Sequence, residues 1–216
     1  MTTAIARNKS DSWAQKTQKV ANASVEMALT MFSIMKVSKQ FRPVIATTEE
    51  EKDATFKLRY AVFAEELGLE PLNDSRRETN HSDVYSTHCL MRVVKTEQEC
   101  GTVRLVMPKT QEQLLPIEEY CIDSITEQNY HPSRFERNEI CEVSRLAIPS
   151  FFRRRDIDDV SGAALGAYEN YDYTKADKRS FPFIAVLLYM TTAALAVKSG
   201  KKHIYVMVEP RLARRM

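Results

Sequence analysis

Glu142 and Arg145 stand inside the run Cys141-Glu142-Val143-Ser144-Arg145-Leu146-Ala147, which is otherwise largely apolar. A carboxylate in such a setting is costly unless it has a partner or a function, which makes Glu142 a candidate for moving a proton. Arg104 sits in the similar run Gly101-Thr102-Val103-Arg104-Leu105-Val106, and Asp83 lies five residues before His88. Arg104 and Arg145 can pair with Asp83 and Glu142, orienting the carboxylates and tuning their proton affinity. A spare guanidinium can hold a ligand carboxylate through two parallel hydrogen bonds. The same four charges could equally form a buried network with a purely structural role. Upstream, Arg59 and Phe63 stand one helical turn apart in Leu58-Arg59-Tyr60-Ala61-Val62-Phe63-Ala64-Glu65-Glu66.

These residues need elements to hold them. Phe41 to Ala46 reads as a strand, at an edge because of Pro43. Thr48 followed by Glu51 is a capping box that opens a helix stopping at Gly68. A polar loop over 70–82 precedes two strands, Val84–Lys95 and Thr102–Met107, joined by a polar turn. A Glu-rich helical or irregular stretch runs to about 138, and Ile140–Ile148 is a β-branched strand. Residues 151–180 read as a long loop, an uncharged helix spans 183–198 before Gly200, and His203–Glu209 closes the order as a strand. Strands and helices in this order predict an α/β (α+β) domain with a mixed sheet and helices on its faces. Residues 1–40 form an N-terminal arm and 41–216 the domain. Glu142 and Arg145, three positions apart, would face opposite sides of a regular strand and converge only across a bulge.

Composition narrows the function. Lys+Arg (31) and Asp+Glu (29) nearly cancel, so bulk charge does not suggest nucleic-acid binding. Five glycines, with neither a dinucleotide fingerprint nor a phosphate-loop motif, argue against a nucleotide site. Cys89, Cys100, Cys121 and Cys141 lack metal-ligand spacing, and no metal is expected. No signal peptide is read at the N-terminus, which points to the cytoplasm. The uncharged stretch 181–197 falls short of a membrane span and is read as the central helix of a core. Within 24–40 a stripe of Val25, Ala28, Leu29, Phe32, Met35 and Val37 reads as a packed helix, with a lid or membrane-surface helix as the alternatives.

Taken in order, R-Y-x-V-F-x-E-E from Arg59, D-x-x-x-x-H from Asp83, G-T-V-R-L-V from Gly101 and E-V-S-R-L-A from Glu142 resemble the autoinducer-synthase branch of the GNAT acyltransferase superfamily. Within it the likeness is greatest to long-chain N-acyl amino acid synthases and the exosortase-associated acyltransferases. The resemblance spans about 41–216, with R-R-R from Arg153 and M-V-E-P-R-L-A-R from Met207 adding to it. It implies a GNAT fold whose sheet, mainly antiparallel, splays at a bulge in the strand of Glu142, where a phosphopantetheine arm enters. It also implies transfer of a fatty acyl group to an amine, with Glu142, Arg104, Arg145 and Asp83 as catalytic residues. Arg59, Phe63, Glu66 and Ser144 would contact substrate, and Leu105, Met107, Leu146, Tyr189 and Met190 would border the acyl chain. Relatives generally continue into further strands beyond the position of Met216.

CoA-dependent relatives carry a glycine-rich pyrophosphate cradle before the central helix. Here Phe151-Phe152-Arg153-Arg154-Arg155-Asp156 takes that place. The arginines are either a solvated run balanced by Asp156, Asp158 and Asp159, or a docking patch. The resemblance favours docking of an acyl carrier protein through Arg153, Arg154, Arg155 and Arg211, with its acyl-phosphopantetheine as donor and no resident cofactor. The tryptophan that homoserine-lactone synthases place after the phenylalanine of the first motif is missing, since the chain's one tryptophan is Trp13. That favours a free amino acid, such as tyrosine, over S-adenosylmethionine as acceptor. The alternatives are homoserine-lactone synthesis, CoA-dependent acetyl transfer to a small molecule, and a non-catalytic module that binds a carrier protein or a membrane.

Overall fold

The structure, a computed structural model, describes Met35 and residues 37–153 and 173–208. The chain divides into two compact units, Met1–Lys39 and Gln40–Met216, and the elements below belong to the second. Of the stripe expected over 24–40, all but Met35 and residues 37–40 lie outside the described residues.

Strand β1 (Phe41–Ile45) leads into helix α1 (Glu49–Tyr60). The capping box is present: the Thr48 hydroxyl accepts from the Glu51 N–H, and the Glu51 carboxylate reaches back to the Thr48 N–H. The helix then widens into a π-turn over Ala61–Glu66 and stops at Gly68, which has φ +61°. A 3₁₀ turn over His81–Tyr85 precedes β2 (Ser86–Val93), so Val84 belongs to the turn and not to the strand expected to begin there. The cause is local, because Asp83 caps this turn through the Asn80 N–H at 2.7 Å.

Strand β3 (Glu99–Val106) starts earlier than its apolar pattern suggests, since the connection tightens around Glu97 at φ +56°. A short helix α2 (Pro116–Tyr120) and several 3₁₀ turns lead to β4 (Ile140–Ala147). Within the expected loop, helices α3 (Ser150–Arg153) and α4 (Lys175–Lys178) are formed, and residues 154–172 lie outside the described residues. Helix α5 (Phe183–Lys198) and β5 (His203–Val206) complete the order.

The sheet runs β1-β2-β3-β4-β5, antiparallel throughout except for the parallel β4–β5 pair, and β1 with its Pro43 is at an edge. Cross-strand partners share a face, so the register sorts the side chains. Leu90, Thr102 and Ala147 belong to one face with His88, Arg104, Ser144 and Glu142, and α1 packs there through Leu58 and Val62. Cys89, Met91, Gly101, Val103 and Leu105 belong to the other, against α5. Ile184, Leu188, Thr192 and Ala196 form the buried row of α5, and the Thr192 hydroxyl is satisfied by the Leu188 and Tyr189 carbonyls. A β-carbon on Gly101 would lie 3.0 Å from Leu188 and 3.1 Å from Ile184, so this glycine sets how closely α5 approaches. Among the described residues no helix is long and apolar enough to cross a membrane.

Candidate active site

The register between β3 and β4 slips at one place. Arg104 pairs with Ser144, yet Thr102 pairs with Ala147, so two steps along β3 are matched by three along β4. The extra residue is a bulge, and Arg145 within it has φ +53°, a left-handed conformation unfavourable for a side-chain-bearing residue by about 1–3 kcal/mol. The bulge does what the spacing required: it brings Arg145 to the α1 side of the sheet beside Glu142 and Ser144. Strand β5 pairs with β4 only as far as Val143–Val206. Beyond that pair lies a cavity of about 340 Å³, lined by Phe63, Ser144, Arg145, Leu146 and Tyr189, with Val143 and Val206–Val208.

Behind this wall is a charged network. Arg59, fully buried, donates to Glu78 through Nε and to both Asp83 oxygens at 2.7 and 3.2 Å. Arg104, also fully buried, donates to Asp83 at 2.9 Å, to Asn80 at 2.6 Å and to the Ser144 hydroxyl at 3.1 Å. Burial opposes the charge of Asp83, but the Arg59 hydrogen bonds and the Arg59 and Arg104 charges prevail and hold its carboxyl down at about 2. Burial lowers the proton affinity of Arg104 and pushes the nearby His88 down to about 4, so His88 is neutral near pH 7.

Arg145 does not pair with Glu142, as the sequence reading allowed. It donates to Glu78 at 3.1 Å and to Glu70 at 3.2 Å, with its guanidinium 5.7 Å from the centre of the Phe63 ring. These contacts hold the left-handed backbone in place. Glu142 is fully buried; one oxygen accepts the Ile117 N–H at 2.8 Å, and Oε1 has no partner among the described residues. Burial pushes its carboxyl up to about 7, against the pull of the Ile117 N–H and Arg104. It is thus divided between acid and base forms at neutral pH, which suits a group that takes up a proton.

The expected site residues separate into groups. Phe63, Ser144, Arg145, Leu146 and Tyr189 meet at the cavity. Arg59, Asp83 and Arg104 form the network behind it, and Glu142 is buried beside the lining residue Val143. Glu66 lies elsewhere: it accepts from the Ser150 N–H at 3.0 Å and from Arg153 at 2.6 Å, fastening α3 to the π-turn. Leu105 is buried on the α5 face, Met107 follows the end of β3, and Met190 is 45% exposed. Arg154, Arg155 and Arg211 lie outside the described residues. The sequence reading did not single out Glu78, Glu70, Asn80 or the Ile117 N–H. Glu78 and Glu70 stand in a polar loop with no period, where nothing local distinguishes them from solvated charges.

Residues 58–162 match the acetyltransferase (GNAT) domain family. The solved structure of FeeM, an N-acyl amino acid synthase from uncultured soil microbes, shares this chain's fold: 12% identity, 82% of this chain and 75% of that one covered, TM-score 0.50. The AHL synthase LasI aligns at 12% identity over 81% of this chain and 74% of its own, with a TM-score of 0.48. No curated protein matches the chain. The bulge in β4 and the parting of β4 from β5 are features of the GNAT-like fold that the resemblance implied.

Proposed function

We propose that the chain is an N-acyltransferase that moves a long-chain fatty acyl group from acyl carrier protein to the amino group of an amino acid, giving an N-acyl amino acid. The observation that carries this reading is the bulge in β4. It opens a cavity against β5, turns Arg145 into that cavity, and leaves Glu142 buried beside it with one unpartnered oxygen.

In this reading the thioester lies in the cavity between Leu146 and Tyr189. Arg145, with Nε and Nη2 committed to Glu78 and Glu70, offers Nη1 to the acceptor's carboxylate. A protonated amine has no lone pair, so its proton passes to Glu142, directly or through a water. The free amine attacks the thioester carbon and a C–N bond forms. The C–S bond breaks, the remaining ammonium proton goes to the departing sulfur, and the products are an amide and a thiol. The Asp83–Arg104 pair fixes Ser144 and the neighbouring backbone during these steps. Arg153, whose side chain is 41% exposed, would belong to the carrier-docking patch with Arg154, Arg155 and Arg211.

The test is incubation with acyl-loaded carrier protein and either a panel of amino acids, tyrosine included, or S-adenosylmethionine, followed by mass spectrometry of the extract. An N-acyl amino acid is expected. An acyl-homoserine lactone would replace this reading with the rival on the same fold. Carrier binding without any amide would indicate a binding module.

A further inference from the structure

Among the described residues, Glu142 is met from outside the sheet by one backbone donor, the Ile117 N–H, and that donor belongs to a segment held in an unusual way. Helix α2 is short, with Pro116 in its first turn. Such a helix has little stability of its own and must be fastened from elsewhere. The fastener is Arg137, 6% exposed, in the turn that leads into β4. Its two terminal nitrogens grip Glu118 at 2.9 Å each, and one also reaches the Gln113 carbonyl. Glu118 in turn accepts the Leu115 N–H at 2.7 Å. Leu115 is buried with Val106 and Ile140, with Ile117, Tyr85 and Tyr205 packed around them. Gln113, Leu115, Ile117 and Glu118 are therefore clamped as one unit over the Glu142 side chain.

We propose that Arg137 and Glu118 are positioning residues for Glu142. Their ion pair holds the Ile117 N–H against one carboxylate oxygen and leaves the other free to accept the proton of the attacking amine. The inference rests on the assignment of Glu142 as the base. The groups that act on Glu142 are Arg104 from β3, Arg145 from β4 and Glu118 from α2. Tyr205 is its cross-strand partner on β5. The arginines and the Ile117 N–H favour its charged form, and Glu118 opposes it. Arg137 neutralises Glu118, so the two partners act on Glu142 with opposite sign.

Opposite sign makes the test specific. In Arg137→Gln, Glu118 is left uncompensated and the Ile117 donor is loosened, so Glu142 should titrate about one unit higher. In Glu118→Gln the like charge is gone and Arg137 is left unpaired, so Glu142 should titrate lower by a similar amount. Arg137→Lys keeps the charge and should fall between wild type and Arg137→Gln; with Glu118→Gln it carries the test if Arg137→Gln does not fold. Two readouts are taken on each variant: the acid limb of kcat/KM against pH with acyl carrier protein and amino acid, and the ¹³C carboxyl titration of Glu142 by NMR. Shifts in opposite directions in both readouts are expected. Unmoved NMR titrations in folded variants, with activity lowered equally, would mean that the pair is only structural and would overturn the proposal. Opposite NMR shifts with an unmoved kcat/KM limb would keep the positioning role and instead overturn Glu142 as the base.

Discussion

The two faces of the sheet are built from alternate residues of the same strands, yet they solve opposite problems. Against α5 the face is apolar, with Cys89, Met91, Val103 and Leu105 all fully buried and Gly101 letting the helix come close. Burial pushes the Cys89 thiol up to about 12 and Cys141 to about 11, so these thiols behave as small apolar groups. Against α1 the face buries Arg59, Glu78, His88, Arg104 and Glu142 within one layer. One face rests on shape. The other rests on charges that remain stable only because nearly every one has an oppositely charged partner, and among the described residues Glu142, held by a backbone N–H alone, is the exception. Packing thus holds the scaffold steady while one carboxylate is kept in a state that packing alone would not favour.

The most severe way to break this contrast is Glu142→Gln. Removing a general base lowers turnover roughly 10²–10⁴-fold, and because the shape is unchanged the fold should survive. The measurement is kcat on protein whose thermal unfolding remains cooperative. Near-normal turnover would return Glu142 to a structural role.

Next in size is Asp83→Ala, which takes the carboxylate from Arg104 and leaves Arg59 with Glu78 alone. Breaking a buried ion pair from one side costs about 3–5 kcal/mol, to be read from urea denaturation. A loss under about 1 kcal/mol would mean that the two arginines find other partners.

A pH comparison sharpens the contrast. The carboxyl of Glu142 is raised from 4.5 to about 7 in the folded protein. The folded state therefore holds the extra proton, and stability from this group is full below 4.5 and lost as pH rises through 7. Glu142→Gln should gain on wild type between pH 5 and pH 8 by up to about 3 kcal/mol, read as a relative rise in Tm. Asp83 has the reverse sign: lowered from 3.8 to about 2, its contribution is present above 3.8 and lost as pH falls through 2. A parallel pH dependence in wild type and Glu142→Gln would show that burial does not raise this carboxyl.

The smallest effect belongs to the apolar face. Gly101→Val would press against Leu188, Ile184 and Ile148. Overpacking of this kind costs about 1–3 kcal/mol, measured by denaturant midpoint, and the acid limb of activity should stay where it is. A shifted limb would mean that the two faces are coupled through the sheet.

Much of this was legible from residue order. The Thr48–Glu51 capping box, the edge position of β1 with Pro43, and α5, uncharged as far as Lys198 and stopping before Gly200, all depend on interactions within a few residues of one another, which the sequence carries locally. So does the identity of the chemical groups, because a glutamate and two arginines set in apolar strands stand out against the residues beside them. The spacing of Glu142 and Arg145 even stated the condition for convergence, namely one extra residue in the strand. Which partners those groups took was decided in three dimensions. Arg145 went to Glu78 and Glu70, and among the described residues the donor to Glu142 is a backbone N–H from α2, 25 residues earlier in the chain. The cavity wall from Val206 to Val208 exists only because β5 returns beside β4 and then parts from it. Long-range pairings of this kind follow from which surfaces meet once the sheet has formed, and no local pattern of residues encodes them.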